Sequence, residues 1–269
     1  MKVMKNEPIA REIRAEIERR LNKIETDFGV KVLLACESGS RAWGFASDDS
    51  DYDVRFIYIH PADWYLSVDL EDRRDVIETP IEGVWDINGW ELRKALKLFS
   101  KSNPPLLEWL QSPIIYQENT SVAEKMRQLL ATHYSPNACL YHYLHMARKN
   151  YRTYLQGEEV WLKKYFYVLR PLLACRWLER GLGAVPMEFE TLVQQTDLSP
   201  ALHQAIAELL AEKRKGGELH KGQRIDELSN FIEAELQRFE KSGATRQKPD
   251  TDMDALNLLF QNALQEVWR

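Results

Sequence analysis

Four aspartates lie within the stretch 48–53, where an apolar run that predicts a β-strand begins. Successive side chains of a strand point to opposite faces, so Asp51 and Asp53, on either side of Tyr52, share one face. Two adjacent carboxylates repel each other, and one of them would normally take up a proton. A divalent cation removes this repulsion, and Mg²⁺ prefers carboxylate oxygens together with substrate phosphates. The spacing therefore predicts a metal site for phosphoryl chemistry, in which one carboxylate can bridge two ions about 4 Å apart.

Other interpretations of the aspartate cluster compete with a metal site. A capped turn would use Asp48, Asp49 and Ser50 for side-chain to backbone hydrogen bonds, and we adopt that interpretation for these three residues. An EF-hand loop that starts at Asp49 fails, because its sixth position is Val54 instead of Gly and its twelfth is His60 instead of Glu. An ordinary surface loop does not explain why the last aspartates enter an apolar strand.

A second pattern precedes the aspartates. Gly39 and Ser40 follow a short apolar strand predicted over 31–37, and Arg41 comes next. A glycine lets the backbone come close to a phosphate, and a serine hydroxyl and free amides can bind phosphate oxygens. A Gly-Ser pair alone indicates nothing. Its place about ten residues before an Asp-x-Asp strand makes a specific combination.

Overall composition limits the class of protein. The chain has 269 residues, 44% of them hydrophobic, and a formal net charge of -5, so any site for a polyanion must be a local patch. The cysteines lack partners at zinc spacing, which predicts buried thiols. The sequence shows no signal-peptide core and no apolar run near the ~20 residues that span a bilayer. We therefore expect a cytoplasmic protein without membrane contact.

The elements that must position these residues fall into two halves. Helical periodicity over 9–27 is followed by the strands at 31–37 and 53–60, weaker strands near 75–79 and 83–88, and a helix over 89–101. Helices then dominate after about residue 120, at 121–131, 136–156, 158–180, 199–215, 224–241 and 250–268. Strands grouped first and helices grouped second predict an α+β protein rather than alternating βαβ units.

Three longer segments carry a family resemblance: GSRAWGFASDDSDYDVRFIY, DINGWELRKALKLFSKSNPPLLEWLQSPIIY and KKYFYVLRPLLACRW. They resemble the DNA polymerase β-like nucleotidyltransferases, in particular the bacterial and phage branch associated with RNA repair, over most of residues 30–180. The resemblance implies a small mixed sheet flanked by helices, with a catalytic domain over 1–118 and a helical domain over 119–269. It also implies transfer of a nucleoside monophosphate from a nucleoside triphosphate, with two Mg²⁺ ions (or Mn²⁺) and loss of pyrophosphate.

The resemblance implies a third carboxylate on a neighbouring strand. Asp86, in GVWDING, is the best match, although many relatives carry Glu there. Its role would be to bind the catalytic metal and help activate the attacking hydroxyl. The alternative is an N-cap of the helix that follows. Asp75 and Glu82 are weaker candidates for the third carboxylate.

Basic residues offer candidate phosphate ligands. A helix predicted directly after Asp86 would bring Arg93 near the metal site, and Lys97 and Lys101 could follow an RNA backbone, although a solvated charged face is the default alternative. The resemblance suggests that a lysine of the helical half clamps the triphosphate. We select Lys164 for this role, followed by Lys163 and Lys149.

The combined prediction is a metal-dependent nucleotidyltransferase in which Asp51, Asp53 and Asp86 hold the ions and residues 39–41 cradle the β- and γ-phosphates. The family context favours the 3′ end of RNA as acceptor. An alternative keeps the chemistry but modifies a protein side chain, as in nucleotidylylating antitoxin-type enzymes. A third hypothesis is a non-catalytic RNA-binding module, which the three filled carboxylate positions disfavour.

Overall fold

The computed structural model describes residues 9–216, 219–241 and 251–269. Within these residues a mixed five-stranded sheet has the order β3-β4-β2-β1-β5. Its strands are β1 (Lys31–Glu37), β2 (Tyr52–Ile59), β3 (Val76–Glu78), β4 (Trp85–Glu91) and β5 (Ile115–Gln117). Strands β2 and β4 are parallel, whereas the other neighbouring strands are antiparallel. The predicted α+β class and central mixed sheet are confirmed.

Helices of the first half connect and cover these strands. They are α1 (Arg11–Phe28), α2 (Ser40–Trp43), α3 (Ala62–Tyr65), α4 (Leu92–Phe99) and α5 (Pro104–Leu110). Helix α1 buries Ile17, Leu21 and Ile24, the stripe that its periodicity predicts. It ends at Gly29, whose φ of 61° is left-handed and suits a glycine. The short loop after α1 therefore delivers the chain directly into β1.

The second half is mainly helical, as predicted. Its helices are α6 (Val122–His133), α7 (Pro136–Tyr154), α8 (Lys164–Glu179), α9 (Phe189–Gln194), α10 (Pro200–Arg214), α11 (Asp226–Lys241) and α12 (Met253–Val267). The single helix predicted over 158–180 is wrong at its start. Residues Glu159–Trp161 form a strand, β6, which pairs antiparallel with β7 (Lys221–Gln223), about 60 residues later in the chain.

The two faces of the central sheet pack against different cores. Val54, Phe56 and Tyr58 of β2 pack with α1, whereas Ile57 and Ile59 belong to a larger core shared with the helices of the second half. The helical half therefore covers the sheet face on which Asp53 lies, because strand side chains alternate.

A buried ion pair joins the two halves inside the larger core. Arg170 of α8 donates from Nη1 to Glu108 Oε1 of α5 at 2.8 Å, and Tyr143 Oη of α7 donates to the same oxygen at 2.6 Å. Both charged side chains are at least nine-tenths buried. A buried charge needs such partners, so this pair fixes how α8 approaches the first half of the chain.

The boundary between β4 and α4 differs from the prediction. The expected helix over 89–101 begins only at Leu92, because β4 continues through Asn88 and Gly89 beside β2 and ends at Glu91. Among the described residues, no helix is long and apolar enough to cross a membrane. Cys36, Cys139 and Cys175 are free and buried, as predicted.

Candidate active site

The centre of the candidate site is a pair of carboxylates on the two parallel strands. Asp53 of β2 lies opposite Asp86 of β4 in the register of the sheet, and both side chains point to the same face. Their side chains are 28% and 23% exposed, so solvent can still reach the pair. Burial raises the pKa of Asp53, and repulsion from Asp86 raises it further. The geometry is that of a partly desolvated pair of like charges.

Arg55, which the sequence analysis missed, bridges this pair. Its Nη2 lies 2.7 Å from Asp86 Oδ2 and 3.4 Å from Asp53 Oδ1, and its Nη1 donates to the Asp86 carbonyl oxygen at 2.9 Å. The residue stands two positions after Asp53 on β2, so strand alternation places it on the same face. That spacing was the available signal. The guanidinium supplies a cation where two carboxylates converge.

Gly39 lies directly against the carboxylate of Asp53. A Cβ atom at this position would collide with Asp53 Oδ2, and Ser38 N donates to the Asp53 carbonyl oxygen at 2.9 Å. Only a glycine permits this close approach between the turn after β1 and the start of β2. The Gly-Ser pattern and the Asp-x-Asp pattern are therefore in contact, with Ser40 starting the short helix α2 beside them.

Arg41 shapes the loop that carries Asp51. Its Nη2 donates to the Ser50 carbonyl oxygen at 2.6 Å and its Nε to the Asp51 carbonyl oxygen at 3.3 Å. The guanidinium also lies 4.0 Å from the centre of the Tyr52 ring. These donors face the backbone of the loop in this structure, so Arg41 acts on the site chiefly by fixing where β2 begins.

A divalent cation fits the chemistry of these donors. Within the described ranges, no set of three His, Cys, Asp or Glu side chains is arranged to hold an ion by itself. Asp53 and Asp86 are the paired carboxylates that would hold an ion. The exposed Asp51 lies two residues before Asp53, and its charge adds to the burial and the repulsion from Asp86 that raise the pKa of Asp53. The guanidinium of Arg55 already pairs with both carboxylates, which supports the affinity of Asp53 and Asp86 for positive charge.

A buried glutamate supports Asp53 from β1. Glu37 is fully buried; one carboxylate oxygen accepts the Asp53 backbone N–H at 2.9 Å and the other accepts the Tyr116 hydroxyl at 2.5 Å. Burial raises the pKa of Glu37. In the sequence, Glu37 stands out only as the end of a predicted strand. Its hydrogen bonds hold the backbone from which the Asp53 carboxylate projects.

Helix α8 packs against α2, the short helix that follows Gly39. The Tyr167 ring meets the Trp43 ring edge-on, with 5.4 Å between ring centres. Burial raises the pKa of Tyr167, and the charges of Asp53 and Asp51 raise it further. Lys164, one turn earlier, lies with Nζ 4.4 Å from the centre of the Tyr167 ring. Burial lowers the pKa of Lys164, and repulsion from Lys163 adds to that shift. Lys164 and Lys163 thus lie at the start of α8, about one turn before the tyrosine that contacts α2, and their role as triphosphate ligands stays a prediction. Tyr167 was missed.

Other predicted basic residues are not brought to the site. Strand β4 runs five residues from Asp86 to Glu91 before α4 begins, a span of about 16 Å at ~3.3 Å per residue. Arg93 therefore lies at the opposite end of the sheet, where it pairs with Glu71 at 2.5 Å. The expectation that the helix starts beside Asp86 was wrong. Lys149 is exposed on α7, and among the described residues no contact joins it to the acidic pair.

The alternatives for the third carboxylate are also resolved by position. Asp86 lies inside β4, so it does not cap a helix; the N-cap of α4 is Glu91. Asp75 pairs with Lys94 at the far end of β4, and Glu82 pairs with Arg20 of α1.

The chain is similar in sequence to known proteins. The model of the RNA repair pathway DNA polymerase beta family matches residues 13–262. The uncharacterized protein YcgL of Bacillus subtilis (strain 168) is 50% identical over 250 residues, which cover 93% of this chain and 95% of that protein. The crystal structure of a nucleotidyltransferase-like protein from Exiguobacterium sibiricum 255-15 matches 84% of this chain and 77% of its own, with 13% identity and a TM-score of 0.29. The family match begins in α1 and ends in α12, so it spans both halves of the chain.

Proposed function

Because the chain belongs to the RNA repair pathway DNA polymerase beta family and is a polymerase β-like nucleotidyltransferase, we propose that it adds a nucleoside monophosphate to the 3′-hydroxyl of an RNA end. The donor would be a nucleoside triphosphate, and the second product pyrophosphate. The observation that carries this proposal is the pairing of Asp53 with Asp86, directly against Gly39. Two carboxylates on adjacent parallel strands, open to solvent and next to a glycine turn, suit phosphoryl chemistry.

In this proposal Asp51, Asp53 and Asp86 hold divalent ions, Mg²⁺ or Mn²⁺. Ions bound there would neutralise phosphate charge and polarise the phosphate oxygens as Lewis acids. The ions would compete with Arg55, whose guanidinium contacts both Asp53 and Asp86. Asp86 Oδ2 and Oδ1 are oriented by Arg55 and Asn88 respectively, so the carboxylate is held in one rotamer before substrate arrives.

The side chains of this chain then have separate tasks. The amides and hydroxyl at Gly39 and Ser40 would bind the β- and γ-phosphates. Asp86 would accept the proton of the acceptor hydroxyl. The hydroxyl oxygen then bonds to the α-phosphorus as the bond between the α-phosphorus and pyrophosphate breaks. Lys164, from the helical wall, would offset the charge that develops on the leaving pyrophosphate, with Lys163 beside it. Arg41 keeps the Asp51 loop in place during these events.

The acceptor is the least constrained part of the proposal. RNA is favoured by the description of the family. The formal net charge of -5 provides no general attraction for a polyanion, so RNA would bind through local basic groups such as those on α8. A cytoplasmic location forms part of this proposal, and the free, buried cysteines suit a reducing compartment.

The test is incubation with each nucleoside triphosphate, labelled at the α-phosphate, and Mg²⁺. Three acceptors are compared: an RNA with a 3′-hydroxyl, the same RNA with a 3′-phosphate, and an RNA-free protein extract. We expect label only in the 3′-hydroxyl RNA, loss of label with a chelator, and loss of label in Asp53→Asn. Label in polypeptide would replace the RNA acceptor by a protein. An absence of pyrophosphate release under every condition would overturn the proposal.

A further inference from the structure

The loop 44–50 joins α2 to β2 and carries the chain from the Gly-Ser turn to Asp51. A residue more than 160 positions later in the chain makes hydrogen bonds to this loop. Lys213, near the end of α10, donates from Nζ to Ser47 Oγ at 2.6 Å and to Ser50 Oγ at 3.4 Å. Lys213 is 6% exposed, and both serines are buried as well. A helix in which no sequence motif was identified therefore contacts the loop next to the candidate active site.

The loop has its own internal order, to which the lysine adds. Ser50 N donates to the Ser47 carbonyl oxygen at 3.0 Å, and Ser47 N donates to Ser50 Oγ at 3.0 Å. Arg41 Nη2 also donates to the Ser50 carbonyl oxygen, at 2.6 Å. The Ser47–Ser50 turn is thus held by Arg41 from the first half and by Lys213 from the second. The residue that follows this turn is Asp51.

Two further contacts fix the earlier part of the loop. The Phe45 ring stacks on Phe166 of α8, with 4.6 Å between ring centres, and Arg214 Nη2 donates to the Gly44 carbonyl oxygen at 3.4 Å. Phe45 alone would anchor the loop by apolar burial. A buried lysine is different, because removing an ammonium group from water is costly and is seldom tolerated without a role for its hydrogen bonds.

We propose that Lys213 is a positioning residue of the active site: from α10 it fixes the Ser47–Ser50 turn, and through that turn it fixes Asp51 and the start of β2. This inference rests on the proposed nucleotidyl transfer, because positioning is defined by that reaction. It also gives the C-terminal half a task besides supplying phosphate ligands. A carboxylate displaced by about 1 Å can cost about 100-fold in rate.

The alternative is that Lys213 only attaches α10 to the sheet. Lys213→Met separates the two roles, because methionine fills a similar apolar volume and removes the donors. Lys213→Arg keeps a charged donor and should partly restore the contact. Lys215→Met is the matched control, since Lys215 is 70% exposed on the turn that follows α10 and, among the residues that the structure describes, pairs with a neighbour in sequence, Glu212.

We expect Lys213→Met to lower kcat by about 100-fold while the KM for the triphosphate changes by no more than about threefold. Lys213→Arg should recover to within about tenfold of the original protein, and Lys215→Met should match it. Ser47→Ala should reproduce part of the loss. The double variant Lys213→Met, Ser47→Ala should be no worse than Lys213→Met alone, because Lys213→Met already removes the hydrogen bond to Ser47.

Hydrogen exchange of the amides in 44–51 gives a readout that needs no substrate. We expect faster exchange there in Lys213→Met and unchanged exchange in Lys215→Met. An unchanged kcat in Lys213→Met, or losses that add fully in the double variant, would overturn the positioning role and leave the proposed function intact. If the unaltered protein transfers no nucleotide to any acceptor, the proposed function fails and the role of Lys213 in it fails too.

Discussion

The two ends of the parallel strand pair β2 and β4 each hold a partly or fully buried acidic group, and the contrast between them is instructive. At the amino end, burial raises the pKa of Asp53, which lies opposite Asp86. At the carboxyl end, burial raises the pKa of Glu91, which lies opposite Tyr58. A raised carboxyl pKa by itself therefore does not identify a reactive site in this protein.

What differs is how each carboxylate is satisfied. Glu91 is 2% exposed and accepts hydrogen bonds from Tyr65 Oη at 2.6 Å and from Lys94 N at 3.2 Å, so it caps α4. The Tyr65 ring in turn packs edge-on against Phe260 of α12. Asp53 instead faces another carboxylate and a guanidinium, and more than a quarter of its side chain is exposed. A buried carboxylate whose hydrogen bonds come from neutral donors has a structural role. A solvent-exposed carboxylate that faces another carboxylate indicates a binding site.

Asp53→Asn is the most direct test of whether the amino end of the strand pair carries the reaction. We expect nucleotidyl transfer to fall by about 1,000-fold or more, because the pair loses half of its negative charge, and ion-assisted catalysis is worth several kcal/mol. The variant should remain folded, since it removes a repulsion within the pair. Transfer to RNA, with thermal unfolding as the control, measures both effects. Activity within tenfold of the original protein would refute the assignment of Asp53.

Gly39→Ala tests whether the amino end depends on close backbone approach. The added Cβ would collide with Asp53 Oδ2, so the carboxylate must shift while Arg55 still holds it. We expect about a 100-fold loss of transfer rate from this displacement. Gly44→Ala, where an added Cβ meets no atom within 4 Å but the φ is 89°, is a control for general loop strain. Equal losses in both variants would contradict a specific role of Gly39.

Glu91→Ala is the corresponding change at the carboxyl end. It removes the N-cap of α4 and leaves a buried hydroxyl of Tyr65 with one partner fewer, so we expect a loss of about 1–3 kcal/mol in the free energy of unfolding. Nucleotidyl transfer measured well below the unfolding transition should stay within about threefold. Urea unfolding and the transfer assay together decide the matter. A large fall in kcat without destabilisation would make this end part of the site.

His60 gives the carboxyl end a dependence on pH. Burial lowers the pKa of His60 from 6.5 to about 4, and its ring stacks on Trp64 with 4.1 Å between centres. Between pH 6.5 and pH 4 the unfolded chain therefore binds more protons than the folded protein. The contribution of neutral His60 to the free energy of unfolding is complete above pH 6.5 and is lost as the pH falls towards 4. For a half-buried group we expect about 1–2 kcal/mol. His60→Phe, which keeps the stack, should lose less stability than the original protein between pH 7 and pH 4.5 in urea unfolding.

The smallest effect is expected at Arg93. Its partner Glu71 is exposed, and a surface ion pair contributes about 0–1 kcal/mol. Arg93→Gln should therefore change nucleotidyl transfer by less than about twofold. Lys164→Gln, at the other end of the sheet, is the matched comparison and should lower transfer by about tenfold or more. Equal effects of Arg93→Gln and Lys164→Gln on nucleotidyl transfer would show that basic residues at the two ends of the β2–β4 pair do not differ in function.

Several features of the fold follow from local sequence patterns. The strand over 31–37 and the helical stripe of Ile17, Leu21 and Ile24 are found as predicted. The strand that carries Asp53 is also found, shifted by one residue. These elements depend on alternation and helical spacing within a few residues, which a single sequence displays directly.

Features that depend on distant partners were not accessible in this way. The segment after Asp86 has the apolar spacing of a helix, yet it continues as a strand because β2 supplies its hydrogen bonds as far as Glu91. That extension moved Arg93 away from the site. Strand β6 exists because β7, about 60 residues later, pairs with it. Pairing of this kind leaves no mark in the local periodicity of either segment.

The sequence by itself determined that Asp53 lies at the start of a strand, and the family resemblance pointed to Asp86; that Asp51 shares a face with Asp53 stays a prediction, because β2 begins at Tyr52. Only the tertiary structure decided what surrounds Asp53 and Asp86: Arg55 bridges the pair, Gly39 lies against Asp53, and Lys213 contacts the loop that leads to Asp51. The physical reason is the distance along the chain over which each feature is decided. Side-chain direction along a strand is fixed by the adjacent peptide units, whereas the neighbours of a charge are fixed by packing between segments far apart in the chain.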